Sequence, residues 1–161
     1  QMGHSEVGFI NGPESSIHSS IRFHAYMEKM RENGWQVKDS WIKRGDWRIA
    51  SAYQCTREML ERGDYPTALV VANDQMCVGV YQALQESGLT PGKDVSVIGY
   101  DNMEYSEWMF PTLTTVSQPL YEMGRAAGEM ILERIRGTAE EKEVIVRGEL
   151  KIRNSVGRCP R

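Results

Sequence analysis

Short apolar runs alternate along the chain with longer segments whose apolar residues recur at helical spacing. Three apolar runs have the length of buried strands: residues 7–10, 68–72 and 95–99. Three segments show helical spacing and end just before a glycine: residues 16–33, 47–61 and 74–87. Such a strand–helix–strand series predicts a parallel sheet with right-handed crossovers and helices packed on its faces.

Side chains that can cap a helix stand at each predicted helix start. These are Ser15 or Ser16, Asp46 and Asp74. A capping oxygen accepts a hydrogen bond from a backbone N–H group that the helix leaves without a partner. We therefore interpret Asp74 as a capping or turn residue rather than as part of a binding site.

The remaining pattern is less regular. Residues 35–42 alternate imperfectly, which predicts a strand at the sheet edge, and residues 113–116 predict another strand. A helix is predicted over 120–136, with six apolar residues on one face: Leu120, Met123, Ala127, Met130, Ile131 and Ile135. The tail predicts two short strands: residues 144–146 and 150–152.

The loop over 102–111 carries three consecutive apolar residues, Trp108–Phe110. Apolar residues in a loop either tuck beneath it or contact a second subunit. This loop and the helix after Asn73 are therefore candidates for a homodimer contact.

Composition narrows the functional classes. The chain has 161 residues, 40% of them hydrophobic and 25% charged, which is typical of one folded domain. Its 19 basic and 22 acidic residues give a net charge of −3 without a basic cluster, so this segment alone is not expected to bind a nucleic-acid backbone. Neither a signal peptide nor a membrane-length apolar span occurs, and the three cysteines lack metal spacing. We expect reduced thiols in a cytoplasmic protein, with the abrupt start indicating a fragment.

Two predicted strands, one helix apart, end in polar side chains, Asn73 and Asp101. Both could simply be caps or turn residues. Ligands of open α/β sheets bind at the carboxyl ends of the strands, however, and this position favours ligand contact. An ionised aspartate can accept two hydrogen bonds in one plane, which suits neighbouring hydroxyl groups.

Arg22 and Trp47 are further candidates. Arg22 is either a solvated helix residue or a planar donor aimed at ligand oxygens and held by Asp101. Trp47 either packs in the core or covers the C–H face of a sugar ring. The three histidines have no metal spacing and no obvious carboxylate partner, so we interpret them as structural: His4, His18 and His24.

Motifs for nucleotide binding and nucleophilic catalysis are absent from the sequence. No G-x-G-x-x-G follows a strand, and neither a Walker loop nor a G-x-S-x-G elbow occurs. An enzyme is therefore disfavoured, and no cofactor or metal is predicted.

Four ordered motifs resemble the lactose/galactose-repressor (LacI/GalR) family: Gly3–Pro13, Pro66–Met76, Asp94–Asn102 and Pro111–Pro119. Gly45–Trp47 and Asn73–Met76 resemble its lactose-sensing members more than its purine- or ribose-sensing ones. The resemblance implies an α/β, type I periplasmic-binding-protein-like core with a parallel, Rossmann-like sheet. Residues 1–117 would be part of the C-terminal effector-binding subdomain. Residues 118–147 would cross into the N-terminal subdomain, and residues 148–161 would be the returning strand and tail.

The resemblance also implies a site and a function. Eight residues fall on effector-contacting positions of the family: Ser16, Arg22, Trp47, Asn73, Asp101, Gln118, Leu120 and Met123. The effector would be a small neutral sugar, with galactosides as candidates. Operator DNA would be bound only through an N-terminal helix-turn-helix outside this chain, and a homodimer is expected. The alternatives are a periplasmic sugar-binding protein of a transport system and an enzyme of sugar or nucleoside metabolism.

Overall fold

A six-stranded sheet forms the centre of the computed structural model, which describes residues 2–138 and 143–160. Its strands are β1 Val7–Asn11, β2 Ile42–Arg44, β3 Ala68–Val71, β4 Ser96–Asp101, β5 Thr114–Ser117 and β6 Glu149–Lys151. They lie in the order β2-β1-β3-β4-β5-β6, all parallel except β6, which pairs antiparallel with β5. The predicted α/β class with a parallel sheet is confirmed.

Four helices complete the fold: α1 Ile17–Glu32, α2 Ile49–Glu61, α3 Asp74–Glu86 and α4 Leu120–Ile135. A glycine stands two residues after each of the first three, as their sequence pattern predicts. Helix caps differ from expectation. Ser16 holds the N-cap position of α1 without a capping side-chain bond, Arg48 rather than Asp46 is the N-cap of α2, and Asn73 rather than Asp74 caps α3.

The core lies where helices cover the parallel strands. Ile10, Val71 and Val97, on three neighbouring strands, are almost completely buried. Phe9 stacks on Tyr26 of α1, with 5.0 Å between ring centroids. Helices α2 and α3 approach closely at Gly79, which is itself buried. Burial of this kind is the main favourable contribution to folding.

The predicted edge strand over 35–42 is wrong in its extent. Only Ile42–Arg44 forms a strand, and it does lie at the sheet edge. A short 3₁₀ turn at Asp39–Trp41 precedes it and places the Trp41 ring in the core, where the indole N–H donates to the backbone oxygen of Asp64 at 3.2 Å. Burial of the tryptophan therefore overrides the alternating pattern.

The start of α2 and the tail also differ from prediction. Trp47 has a backbone φ of 72°, which is incompatible with a helix, so α2 begins at Ile49. Residues 143–148 form no strand. The second tail strand, predicted over 150–152, is present as Glu149–Lys151 and pairs with the sheet.

Helix α4 is present as predicted, but its side chains are not buried. No residue of α4 is buried, and its predicted apolar face includes Leu120, Ile131 and Ile135, which are 60–75% exposed. The three apolar residues of the 102–111 loop differ in their burial. Met109 packs against the core, whereas Trp108 and Phe110 are more than 80% exposed. None of the helices in the described parts of the chain is both long and apolar enough to cross a membrane.

Candidate functional site

The carboxyl ends of β3 and β4 lie side by side, because the two strands are parallel neighbours in the sheet. Asn73 and Asp101 therefore stand at the same edge, as the sequence predicts. Asn11 ends the adjacent strand β1, where its side chain donates to the backbone oxygen of Ser19 at 3.2 Å and so anchors the start of α1. Asn11 directly follows the apolar run 7–10, a sequence signal similar to that of Asn73.

The carboxylate of Asp101 is held by Gln118. The amide of Gln118 donates to Asp101 Oδ1 at 2.5 Å, across the neighbouring strands β4 and β5. Burial raises the pKa of Asp101, while the bond from Gln118 and the positive charge of Arg22 lower it in part. The structure thus brings three predicted site residues together around one carboxylate.

The side chain of Arg22 is held at the same edge of the sheet by a backbone oxygen and by two aromatic rings. Its Nη1 donates to the backbone oxygen of Ala72 at 2.5 Å. This backbone oxygen, rather than Asp101, is the partner that the structure shows for the donor alternative. The guanidinium lies 3.9 Å from the ring centroid of Tyr100 and 5.6 Å from that of Trp47. Stacking on aromatic rings holds the planar donor in one orientation. Tyr100 was not among the predicted site residues, and its only sequence signal is its place directly before Asp101.

The side chain of Asn73 is engaged within the protein. Its Oδ1 accepts the backbone N–H of Met76 at 2.8 Å, and its Nδ2 donates to the backbone oxygen of Trp47 at 3.2 Å. The capping alternative is therefore correct for Asn73. The same side chain fixes the backbone at Trp47, and ligand contact by Asn73 stays a prediction.

Asp74 is not the capping residue that the sequence indicates. Its side chain is completely buried and accepts the hydroxyl of Thr115 at 2.6 Å and the backbone N–H of Met103 at 2.8 Å. Burial raises the pKa of Asp74, while those two bonds lower it in part. The carboxylate thus links the start of α3 to the backbone that follows Asp101.

The remaining predicted site residues lie at the margins. Ser16 is half-buried at the start of α1, six residues before Arg22. Leu120 and Met123 are in the first turn of α4, 65% and 45% exposed. Within residues 2–138 and 143–160, no three His, Cys, Asp or Glu side chains are placed to hold a metal ion. Cys55 and Cys77 are buried, and burial raises the pKa of both thiols.

Trp47 packs directly over Gly12 at the end of β1. A Cβ atom at Gly12 would lie 2.3 Å from the indole ring, well inside van der Waals contact. We expect Gly12→Ala to push the Trp47 indole outward and to shift the tryptophan emission of the protein, to which four indoles contribute, to longer wavelength. Gly124→Ala, whose new methyl group would meet open space, is the control and should leave the emission unchanged. An unshifted Gly12→Ala spectrum would contradict this placement of Trp47.

Comparison with known proteins identifies the family. Residues 1–156 match the model of the periplasmic binding protein-like domain. The lactose operon repressor of Escherichia coli (strain K12) is 37% identical over 138 residues, which are 86% of this chain and 38% of that protein. The transcriptional repressor PurR of Pasteurella multocida is 34% identical over 155 residues, 96% of this chain and 46% of that protein. The chain belongs to the LacI/GalR family.

The fold of this LacI/GalR-family chain is type I periplasmic-binding-protein-like. A solved dimeric Lac repressor matches it with a TM-score of 0.92 and 34% identity, over 99% of this chain and 58% of that one. The chain spans less than half the length of the two curated relatives. The lactose operon repressor and PurR match at similar identity, so the predicted closeness to lactose-sensing members stays a prediction.

Proposed function

We propose that this chain is the effector-binding part of a transcriptional repressor and that its effector is a small neutral sugar. The observation that carries the proposal is the cluster of Arg22, Asp101 and Gln118 beside two aromatic rings at one edge of the sheet. One cation and one anion together favour an uncharged ligand. Carboxylate and guanidinium groups supply several acceptors and donors for hydroxyl groups, and the indole face suits the C–H face of a sugar ring.

Galactosides are the sugar class that we propose to test first. The lactose operon repressor is among the relatives, and the relatives' names describe repressors rather than enzymes. A transport protein in the periplasm is the alternative, and an enzyme on a similar sheet is a weaker one. As a repressor the protein would act in the cytoplasm, where operator DNA is found.

We further propose how the chain is divided in the complete protein. Residues 1–117 would form part of the C-terminal subdomain, residues 118–147 would cross to the N-terminal subdomain, and residues 148–161 would return. The exposed apolar face of α4 supports this division, because such a face normally packs against another element. An effector bound between subdomains would change their relative orientation, and it would act only through its different affinities for the two states.

A homodimer is the proposed assembly. The rings of Trp108 and Phe110, both apolar, are more than 80% exposed. Gln85 of α3 donates to the backbone oxygen of Phe110 at 3.2 Å and so ties this loop to the helix. A similar solved structure, that of a Lac repressor, is dimeric, which supports the proposal of a homodimer. In a DNA-binding dimer, this contact would set the spacing of the two half-sites.

The pH dependence of sugar binding tests the role of Asp101. In the complete repressor, we expect affinity for isopropyl thiogalactoside, a neutral and unhydrolysable galactoside, to fall as the pH is lowered. The raised pKa of Asp101 means that its carboxylate is protonated at a higher pH than an ordinary aspartate, whose pKa is about 3.9. Protonation removes an acceptor for sugar hydroxyls. Calorimetry at a series of decreasing pH values, starting from neutral pH, measures the effect.

Asp101→Asn should bind weakly at all these pH values, whereas Asp94→Asn, two residues before the same strand begins, should behave as wild type. Operator DNA release by the sugar provides the second measurement. If the Asp101→Asn variant released operator DNA at the same sugar concentration as wild type, this cluster would not be the effector site. A complete protein that binds no DNA but binds the sugar would favour the transport alternative, and conversion of lactose would favour an enzyme.

A further inference from the structure

The last residue of β4 and the residue after it have left-handed backbone conformations. Asp101 has a φ of 123° and Asn102 a φ of 57°. Residues with a side chain seldom adopt such angles, and they do so where neighbouring groups hold them. The direction of the Asp101 carboxylate depends on this turn, so whatever holds the turn also orients the carboxylate.

Asp74 and Thr115 hold the Asp101–Asn102 turn through hydrogen bonds to its backbone. Asp74 Oδ2 accepts the backbone N–H of Met103, directly after the turn, at 2.8 Å. Asp74 Oδ1 accepts the hydroxyl of Thr115 at 2.6 Å, and Thr115 Oγ1 in turn accepts the backbone N–H of Asn102 at 3.3 Å. Two successive backbone N–H groups are thus bound through one buried carboxylate.

Space for this carboxylate is provided by Gly99. A Cβ atom at Gly99 would lie 2.2 Å from Asp74 Oδ1, so any side chain there would displace it. The helix itself does not need Asp74, because Asn73 already caps α3. Burial of a carboxylate is unfavourable unless it is satisfied by hydrogen bonds. The bonds that satisfy this one are those to the turn and to Thr115.

From these contacts we propose that Asp74 is a positioning residue for the effector site. It holds the Asp101–Asn102 turn so that the Asp101 carboxylate faces Arg22 and Gln118. The inference rests on the proposed function only in assigning Asp101 to effector binding. The hold on the turn itself is independent of any ligand.

Arg153 also holds the chain around Asn102, independently of Asp74. We therefore expect the protein to fold when the Asp74 charge is removed. Arg153 donates to Asn102 Oδ1 at 2.8 Å and to the backbone oxygen of Leu113 at 2.8 Å. Asp74→Asn also removes a buried charge, which offsets part of the loss of its hydrogen bonds. We therefore expect its thermal unfolding to be close to that of wild type.

The test compares Asp74→Asn and Thr115→Val with Asp94→Asn in the complete repressor. Asp94 is a matched control, because its carboxylate also accepts a backbone N–H, that of Thr90 at 2.8 Å, but before β4 begins. We expect roughly tenfold weaker binding of isopropyl thiogalactoside by the first two variants, and faster hydrogen exchange at the amides of Asn102 and Met103. The control should show neither change.

The outcomes separate the two proposals. Wild-type exchange at Asn102 and Met103 in both variants, or wild-type affinity despite faster exchange, would overturn the positioning role of Asp74. If Arg22→Ala leaves sugar binding unchanged, the proposed effector site fails instead. If wild-type protein does not bind the galactoside, exchange alone decides whether Asp74 holds the turn. A general loss of folding in Asp74→Asn would be recognised by exchange in β1 and α1, and Thr115→Val then decides.

Discussion

Replacement of Gly79 by alanine is expected to destabilise the protein by about 3 kcal/mol. Gly79 lies where α3 crosses α2. A Cβ atom there would lie 2.1 Å from the backbone oxygen of Ile49 and 2.8 Å from the backbone nitrogen of Tyr53. Backbone atoms of a packed helix cannot move aside as a flexible side chain can, so the two helices must separate. That loss is large against the roughly 5–15 kcal/mol that stabilises a typical domain.

The matched control is Gly128→Ala in α4. A methyl group at Gly128 meets no neighbouring atom, so this variant should be stabilised by about 0.5–1 kcal/mol through helix propensity alone. Denaturant unfolding of wild type and both variants, followed by circular dichroism, gives the comparison. Equal unfolding midpoints for the two variants would show that α2 and α3 are not packed as described.

The second large effect is expected for Arg22→Ala, which should weaken binding of isopropyl thiogalactoside by about a hundredfold. The guanidinium is held by the backbone oxygen of Ala72 and by the ring of Tyr100 before any ligand arrives. Hydrogen bonds from a charged donor contribute about 1.5–3 kcal/mol each, and an already oriented donor loses little freedom on binding. Loss of Arg22 also removes the charge that lowers the pKa of Asp101, so the acid-sensitive range of binding should move to higher pH.

Two further variants distinguish charge from geometry. Arg22→Lys keeps the charge but not the planar donor, and we expect it to retain only part of the affinity. Arg31→Ala, an exposed residue near the end of the same helix, should bind as wild type. Calorimetry at neutral pH measures all three variants. Equal affinities of Arg22→Ala and Arg31→Ala would remove Arg22 from the site.

The principal strands and helices could be predicted from the sequence because their signals are local. The apolar run at residues 68–72 is long enough for one buried strand, and the helical pattern after it ends before a glycine. The position of Asn73 and Asp101 at one edge could also be predicted from the sequence, because neighbouring parallel strands end at the same side of a sheet. These relations depend on spacing and chain direction, which the sequence contains.

Contacts between distant segments were decided only by the tertiary structure. The stacking of Arg22 on Tyr100 joins residues 78 positions apart in the chain, and the bond between Asp74 and Thr115 joins residues 41 positions apart. Neither pair has a sequence signal, because each side chain alone is compatible with a solvated or capping role. The helical periodicity of α4 was readable from the sequence, whereas the exposure of its apolar face depends on which other elements pack against it.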